Sequence, residues 1–221
     1  MGRLINQFGA PSSPFGDFMN WIQQAQAGGI PGAQRAARIF WSASQQRQKA
    51  LSDCRMKKEA ALALTEAIVE SDKTLCFTMT KDSANELASS WREVGIDACA
   101  YHSGLDRSER AGLMQDFRAG KIKVLVAPKV LDEGVDVPDA DLAIIFATSA
   151  SRIQLVQRYG RVLRKKVMGT PARIAHLYVT DTPEDPLSEF RESAFSDIQH
   201  AANECKDFSF HDEIDDIIEF L

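Results

Sequence analysis

The chain has 221 residues and a formal net charge of −5, with 44% hydrophobic and 26% charged residues. These values are typical of a folded water-soluble protein and exclude a wholly disordered or fibrous chain. No apolar run reaches the roughly 20 residues that cross a bilayer, and no basic start leads into an apolar block, so we expect a cytoplasmic protein without a membrane partner.

Charge is distributed unevenly along the chain. Residues 181–221 carry 13 acidic and 2 basic side chains, a formal charge of −11, whereas residues 1–180 carry 24 basic and 18 acidic ones, a charge of +6. A positively charged body favours contact with nucleic acid. The acidic tail has three interpretations: a solvated C-terminal helix, a shield over the basic surface, or a binding segment for a basic partner.

The first 70 residues predict a helical extension that precedes the main domain. Residues 1–32 are rich in Gly, Pro, Ser and Gln, and they predict loops around one short helix near Asp17–Gln26. Residues 33–70 contain no Gly or Pro but many Ala, Gln, Arg and Lys, which favour helix. A break near Ser52 and Asp53 predicts a second helix that runs through Ile68.

From Lys73 onwards, short apolar runs alternate with amphipathic stretches. The predicted strands are Leu75–Thr78, Ala98–Tyr101, Val124–Ala127, Leu142–Phe146 and Ile174–Val179, and the predicted helices between them are Ser83–Glu93, Arg107–Phe117 and Ile153–Arg164. This alternation predicts an α/β domain over residues 71–182, with a parallel sheet covered on both faces. A C-terminal helix and acidic tail are expected over residues 183–221. Ligands of such sheets bind beyond the carboxyl ends of the strands.

Four segments carry the residues best suited to chemistry. The strongest is QRYGRVLR, residues 157–164, in which Gln, Gly, Arg and Arg stand at positions i, i+3, i+4 and i+7 and share one face of a helix. The second is VLVAPKVLDEGVDVP, residues 124–138, a buried-type strand that leads into a loop. The third and fourth are LCFTMTKD, residues 75–82, and YHSG, residues 101–104, each of which places polar residues after a predicted strand.

In this order and spacing, the segments resemble the second RecA-like lobe of superfamily 2 helicases. The Thr80 segment resembles motif IV, the segment from Gly134 to Asp136 resembles motif V, and residues 157–164 resemble motif VI, QxxGRxxR. The sequences VLDEGVDVP and QRYGRVLR are similar to those of the DNA-directed branch near the repair helicase XPB and the restriction-enzyme motors. The resemblance covers about residues 73–180. It implies a RecA-like three-layer α/β/α domain that acts as the C-terminal lobe of an ATP-dependent DNA helicase or translocase.

The resemblance also implies roles in ATP hydrolysis, with Mg²⁺ and a first lobe sharing the site. Arg161 and Arg164 are expected to be arginine fingers, because a guanidinium stays charged and grips phosphate oxygens where negative charge develops. Gln157 would orient the phosphate contact or couple it to the nucleic-acid side. Gly134 and Asp136 would line the nucleotide cleft, with the Asp136 carboxylate near the ribose or the catalytic water.

Members of this family hold one nucleic-acid strand through loops at the ends of β-strands, and these contacts do not depend on the base sequence. The expected contacts here are Thr80, Lys81, Ser103, Gly104 and Lys129. The chain departs from related motors at Pro128, where a threonine is common and proline supplies neither a hydroxyl nor a backbone donor. DNA is the expected partner, and RNA is the other candidate.

One element of such a motor is missing from the sequence. The phosphate-binding loop GxxxxGK[ST] is absent, since the Gly-Lys pair at 120–121 has Gln115 and Ile122 at the other required positions. We therefore expect the N-terminal RecA-like lobe to lie elsewhere, in cis or in trans, and the isolated chain to be inactive. No His or Cys spacing predicts a metal site within the chain. The alternative function is a non-catalytic helicase-like scaffold or regulatory nucleic-acid-binding module.

Overall fold

The computed structural model of the protein describes residues 1–13, 15–128, 140–147, 171–182, 184–185 and 202–221. These residues form two compact units, Met1–Leu51 and Ser52–Leu221. Within them, no helix combines the length and the apolar character needed to cross a membrane. The division into segments 1–70, 71–182 and 183–221 stays a prediction from the sequence.

The first unit is helical. Its helices are α1 (Gly2–Phe8), α2 (Phe15–Gln26) and α3 (Gln34–Ser52), the last of which ends one residue into the second unit. Phe18 and Ile22 of α2 are fully buried against Ala37 of α3 in a shared apolar core. The rings of Phe18 and Phe40 meet edge to face, with centroids 5.1 Å apart. The unit therefore has a core of its own, which apolar burial stabilises.

Helix α1 corrects the prediction of loops before Asp17. A seven-residue helix forms there because Leu4 is buried in the core of the unit, and short helices depend on such packing rather than on propensity. The helix ends at Gly9, which has a φ of 68°, a left-handed conformation that glycine adopts without strain. The N–H of Gly9 donates to the carbonyl of Ile5 at 3.1 Å.

The second unit contains the predicted sheet. Its described elements are α4 (Arg55–Ala63), α5 (Thr65–Glu70), β1 (Thr74–Phe77), α6 (Lys81–Glu93), β2 (Ala98–Ala100), α7 (Arg107–Arg118), β3 (Val124–Ala127), β4 (Leu142–Ile145), β5 (Arg173–His176) and α8 (Ile214–Phe220). All five predicted strands are present; β1 and β5 begin one residue before their predicted starts, and all except β3 end before their predicted ends. The helix predicted over Ile153–Arg164 lies outside the described residues.

The five strands pair in parallel in the order β2-β3-β1-β4-β5. The central strand β1 pairs with β3 and β4, in a register that aligns Phe77 with Ala127 and Ile145. All four residues of β1, β3 and β4 are buried, as expected for strands that are covered on both faces. The predicted parallel α/β sheet is confirmed.

Alternate residues of the strands face two separate apolar layers. Cys76, Val126 and Ile144 pack into a cluster with residues of α4, α5 and α6, where the fully buried Trp91 is the largest side chain. Leu75, Phe77, Leu125 and Ile145 pack on the other face with Met114 and Phe117 of α7. The arrangement is a three-layer α/β/α domain, as the sequence predicts.

The described end of the acidic segment packs near the edge strand β5. The Tyr178 hydroxyl donates to the Asp207 carboxylate at 2.9 Å, and burial, followed by this contact, raises the pKa of Tyr178. Helix α8 supplies Ile217 to the apolar layer that contains α4 to α6. A cavity of about 640 Å³ lies between α4, β5 and residues 206–221.

Candidate nucleic-acid interface at the carboxyl edge of the sheet

The segment after the central strand β1 turns directly into helix α6. The fully buried Thr78 extends the sheet by one hydrogen bond, from its N–H to the carbonyl of Ala127 at 3.0 Å. Its hydroxyl donates to the carbonyl of Thr80 at 3.1 Å, which fixes the turn. Thr80 then caps α6, because its hydroxyl oxygen accepts from the N–H of Ser83 at 3.1 Å.

The hydroxyl of Thr80, a residue predicted to contact nucleic acid, is used for contacts within the protein. Its Oγ1 also lies 2.5 Å from the hydroxyl of Ser83, which in turn donates to the carboxylate of Asp53. The Thr80 side chain is therefore engaged in holding the start of α6. The structural consequence is that the next residue, Lys81, has a fixed backbone position at the first turn of the helix.

Lys81 is exposed and has no carboxylate partner among the residues that the structure describes. Its Nζ lies 3.6 Å from the position that a Cβ would take on Gly104. Lys81 follows β1 and Gly104 follows β2, although β3 separates these two strands in the sheet. The structure thus brings two of the predicted contact residues together at one edge.

His102 holds the loop that carries Ser103 and Gly104. The N–H of Gly104 donates to His102 Nδ1 at 3.2 Å, and His102 Nε2 lies 3.2 Å from the Asn85 Oδ1 of α6. Both contacts are satisfied when the ring is neutral with its proton on Nε2, because Nδ1 then accepts and Nε2 donates. The imidazole therefore joins the loop after β2 to the helix after β1.

The close fit around His102 explains the glycine that follows it. A Cβ on Gly104 would lie 3.0 Å from His102 Nδ1 and 3.2 Å from His102 Cε1, which is tighter than ordinary contact. A side chain at position 104 would thus displace the ring or the loop. Ser103, next to it, is exposed and leaves its hydroxyl on the surface.

Sequence reasoning did not identify Asn85 as part of this site. It lies on α6 one helical turn after Lys81, on the same face, and orients His102 from there. A single Asn within a helix matches no sequence motif. Its contact with His102 arises only because of the order of the strands in the sheet. The shared i, i+4 face of Lys81 and Asn85 was the one available signal.

Helix α7 begins directly after this loop with a capping box. The Asp106 carboxylate accepts from the N–H of Glu109 at 2.7 Å, and the Glu109 carboxylate accepts from the N–H of Asp106 at 2.9 Å. The hydrogen bond from the Glu109 backbone, and then that from the Ser108 hydroxyl, lower the pKa of Asp106. The box fixes where the loop ends and α7 starts.

The remaining predicted site residues lie outside the described residues. They are Lys129, Gly134, Asp136, Gln157, Arg161 and Arg164. In the chain, the first three of these residues follow β3 and the other three follow β4. Their predicted roles stay predictions.

Comparison with known families identifies the family of the sheet-containing unit. Residues 56–166 match the family of the helicase conserved C-terminal domain, and this stretch is half of the chain. The chain belongs to this helicase family. The matched stretch includes the elements from α4 to β4 and all four motif segments that resemble superfamily 2 helicases. The match therefore confirms that resemblance.

Curated relatives of this helicase domain include a DNA translocase and several UvrABC system B proteins. The DNA 3'-5' translocase XPB2 of Sulfurisphaera tokodaii is 39% identical over 97 residues, which are 44% of this chain and 21% of that protein. UvrABC system protein B of Chlamydia trachomatis is 34% identical over 113 residues, which are 48% of this chain and 17% of that protein. The chain therefore spans about a fifth of the length of these relatives.

Solved structures with the same fold are RecA-like C-terminal domains of DEAD-box proteins. The C-terminal domain of Dbp5 gives a TM-score of 0.56 at 21% identity, over 76% of this chain and 92% of that one. Dbp5 of S. cerevisiae bound to RNA and ADP BeF3 gives 0.55 at 22% identity, over 74% of this chain and 41% of that one. These likenesses establish the RecA-like fold of the helicase domain.

Proposed function

We propose that the chain is the C-terminal motor lobe of an ATP-dependent DNA helicase or translocase. The observation that carries the proposal is the family match over residues 56–166, which includes both the Gly134–Asp136 and the Gln157–Arg164 segments. A lobe of this kind needs a first lobe with a phosphate-binding loop, and that loop is absent from the sequence. ATP would bind between the two lobes, and closure of the cleft would couple hydrolysis to movement along the strand.

The proposed contribution of this lobe to hydrolysis is positive charge at the γ-phosphate. Arg161 and Arg164 stand three residues apart, so on a helix both guanidinium groups reach the same side. Gln157 would orient that contact, while Gly134 and Asp136 would line the cleft beside the ribose and the attacking water. Mg²⁺ would be bound with the ATP, jointly with the first lobe.

The proposed strand contact is electrostatic and centres on Lys81. The exposed ammonium group beside Gly104, with the Ser103 hydroxyl on the same loop, suits a sugar–phosphate backbone. Thr80 would contribute through its backbone position, because its hydroxyl caps α6. Lys129 would extend the contact from the loop after β3.

DNA is the proposed track rather than RNA. The named DNA translocase shares 39% identity with this chain over the matched residues, whereas the RNA-bound Dbp5 structure shares 22%. The higher identity favours the DNA-directed group. Binding of single-stranded DNA and RNA of the same base composition, measured side by side, tests this choice.

The test of motor function is ATP hydrolysis by a reassembled pair of lobes. We expect negligible hydrolysis by the chain alone, and DNA-stimulated hydrolysis after addition or fusion of a first RecA-like lobe that carries GxxxxGK[ST]. In that mixture Arg161→Ala should lower the rate by about 10³-fold or more. Arg118→Ala removes the same charge at the far end of α7 and serves as the matched control. Unchanged rates for both Arg161→Ala and Arg164→Ala would favour the scaffold alternative.

The test of the strand contact is salt-dependent binding of a single-stranded oligonucleotide. Lys81→Gln should weaken binding about 5-fold at 0.1 M salt and reduce the salt slope by about 0.7, the value of one phosphate contact. The control is Lys121→Gln, which removes an exposed lysine paired with Asp116, at the turn that leads into β3 at the opposite edge. Equal losses for the two variants would contradict a localised contact at Lys81.

A further inference from the structure

Helix α3 presents two different faces. Ala37 is fully buried in the core of the first unit, and Phe40 and Trp41 pack against that core. The opposite face is exposed along the length of the helix. One face of α3 therefore accounts for its packing in the first unit.

The exposed face of α3 is basic and contains no carboxylate. Arg35, Arg38 and Lys49 are all exposed, and the sequence has no acidic residue between positions 18 and 52. With 3.6 residues per turn, these three positions fall within about 60° of one another around the helix. Neither Arg35 nor Arg38 has a carboxylate partner within the described residues.

The polar residues between these cations complete a continuous strip. Ser42, Gln45 and Gln46 are exposed on the same side of α3. At a rise of 1.5 Å per residue, the strip from Arg35 to Lys49 is about 21 Å long. This length corresponds to about six phosphates of one strand at 3.4 Å each. We call Arg35, Arg38, Ser42, Gln45, Gln46 and Lys49 the α3 strip.

We propose that the α3 strip is a second nucleic-acid-binding surface, which holds a sugar–phosphate backbone independently of base sequence. Arginine and lysine neutralise phosphates, and Ser and Gln side chains hydrogen-bond to phosphate oxygens. The first unit is complementary in charge to a nucleic acid, because residues 1–51 carry five basic side chains and one acidic side chain. The surface lies outside residues 56–166 and thus outside the family match.

A nucleic acid fits this strip better than an acidic protein does. Protein interfaces need a buried apolar or aromatic centre with few charges. On the exposed face of α3, Ile39 is the one large apolar side chain, and it lies at the margin of the strip. A row of cations and amides without an apolar anchor is typical of backbone contacts to nucleic acid.

The experiment uses the full chain and a fluorescein-labelled strand of 30 thymidines, with anisotropy measured between about 50 and 200 mM salt. The double variant Arg35→Gln/Arg38→Gln should bind about 25-fold more weakly at 0.1 M salt, with a salt slope smaller by about 1.4, the value of two contacts on a single strand. Circular dichroism should show the same helix content as the wild-type chain, because both positions are exposed.

The matched control is Arg3→Gln/Arg47→Gln. It removes the same charge from the same unit, but Arg47 lies about 120° around α3 from Arg35. We expect the binding affinity to fall less than about threefold, because this variant changes only the overall electrostatic field of the unit. Equal losses for the two double variants, or an unchanged salt slope for Arg35→Gln/Arg38→Gln, would overturn the proposal.

Lys81→Gln in the same assay separates this proposal from the proposed function. A loss with Lys81→Gln alone would leave the strand-end contact standing and refute the α3 strip. A loss with Arg35→Gln/Arg38→Gln alone would support the α3 strip without the contact at Lys81. Losses in both, with the control unchanged, would support two separate surfaces.

Discussion

The two edges of the same sheet are built differently. At the amino edge, Asp141, Ser71 and Thr74 are buried and fully engaged in hydrogen bonds. At the carboxyl edge, Lys81 and the loop with Ser103 and Gly104 are exposed. Parallel strands direct all their carboxyl ends to one side, so the sheet separates residues that hold the fold from the exposed residues that we propose as ligand contacts.

The amino edge is organised around the Asp141 carboxylate. It accepts from the backbone N–H groups of Asp72 and Lys73 at 3.0 and 2.9 Å, and from the Arg173 guanidinium at 3.2 Å. These contacts join the turn before β1 to the starts of β4 and β5. Arg173 also donates to the backbone oxygen of Leu221 at 2.5 Å, which holds the end of α8 nearby.

The largest expected effect is the loss of this carboxylate. Asp141→Ala leaves two backbone donors and the guanidinium without their acceptor, at a cost of about 3–5 kcal/mol in the free energy of unfolding. Asp141→Asn keeps one acceptor oxygen and should lose less. Urea denaturation of the full chain measures both. A midpoint for Asp141→Ala equal to that of the wild-type chain would show that the two edges are not distinguished in this way.

A smaller loss is expected at the buried ion pair of Lys57 and Glu184. The atoms Nζ and Oε2 lie 2.9 Å apart with both side chains at most 5% exposed, and the Lys57 ammonium lies 5.4 Å from the centroid of the Phe146 ring that follows β4. Lys57→Met strands a buried carboxylate and should cost about 3 kcal/mol. This pair anchors the carboxyl edge on the side of β4.

The matched variant for the ion pair is Lys57→Met/Glu184→Leu. With both charges removed, apolar side chains of similar volume should restore stability to within about 1 kcal/mol of the wild-type chain. The measurement is again the urea midpoint. If the double variant is as unstable as Lys57→Met, the loss comes from packing and not from a stranded charge.

The smallest effect is a pH dependence at the cap of α7. The pKa of Asp106 is lowered in the folded chain, so its charged form stabilises the fold above the usual carboxyl pKa. That contribution is lost as the pH falls through the lowered value. Asp106→Asn keeps a capping side chain without the charge and should melt at a lower temperature near pH 6, with the difference vanishing in strong acid. A difference that is independent of pH would contradict the assignment.

The sequence predicted the strands well because their apolar runs are short and bounded. The predicted strand Val124–Ala127 has the same limits in the structure. The predicted strand Ile174–Val179 begins one residue earlier, at Arg173, and ends earlier, at His176. Its last apolar residues favour strand by propensity, but propensity does not show where pairing with β4 ends.

The candidate site was predictable residue by residue but not as an arrangement. Lys81 and Gly104 were both identified by their positions after strands, yet the sequence does not give the order β2-β3-β1 that determines their distance. The link from His102 to Asn85 depends on the same order. Helix α1 was missed because its stability comes from the burial of Leu4 in a tertiary core.

The central position of β1 has a consequence for Lys81. This lysine follows a strand that is hydrogen-bonded on both sides, and its own first helical turn is capped by Thr80. A phosphate that binds the ammonium group would therefore immobilise a few side-chain rotamers and almost no main chain, which keeps the entropic cost of holding a moving strand small.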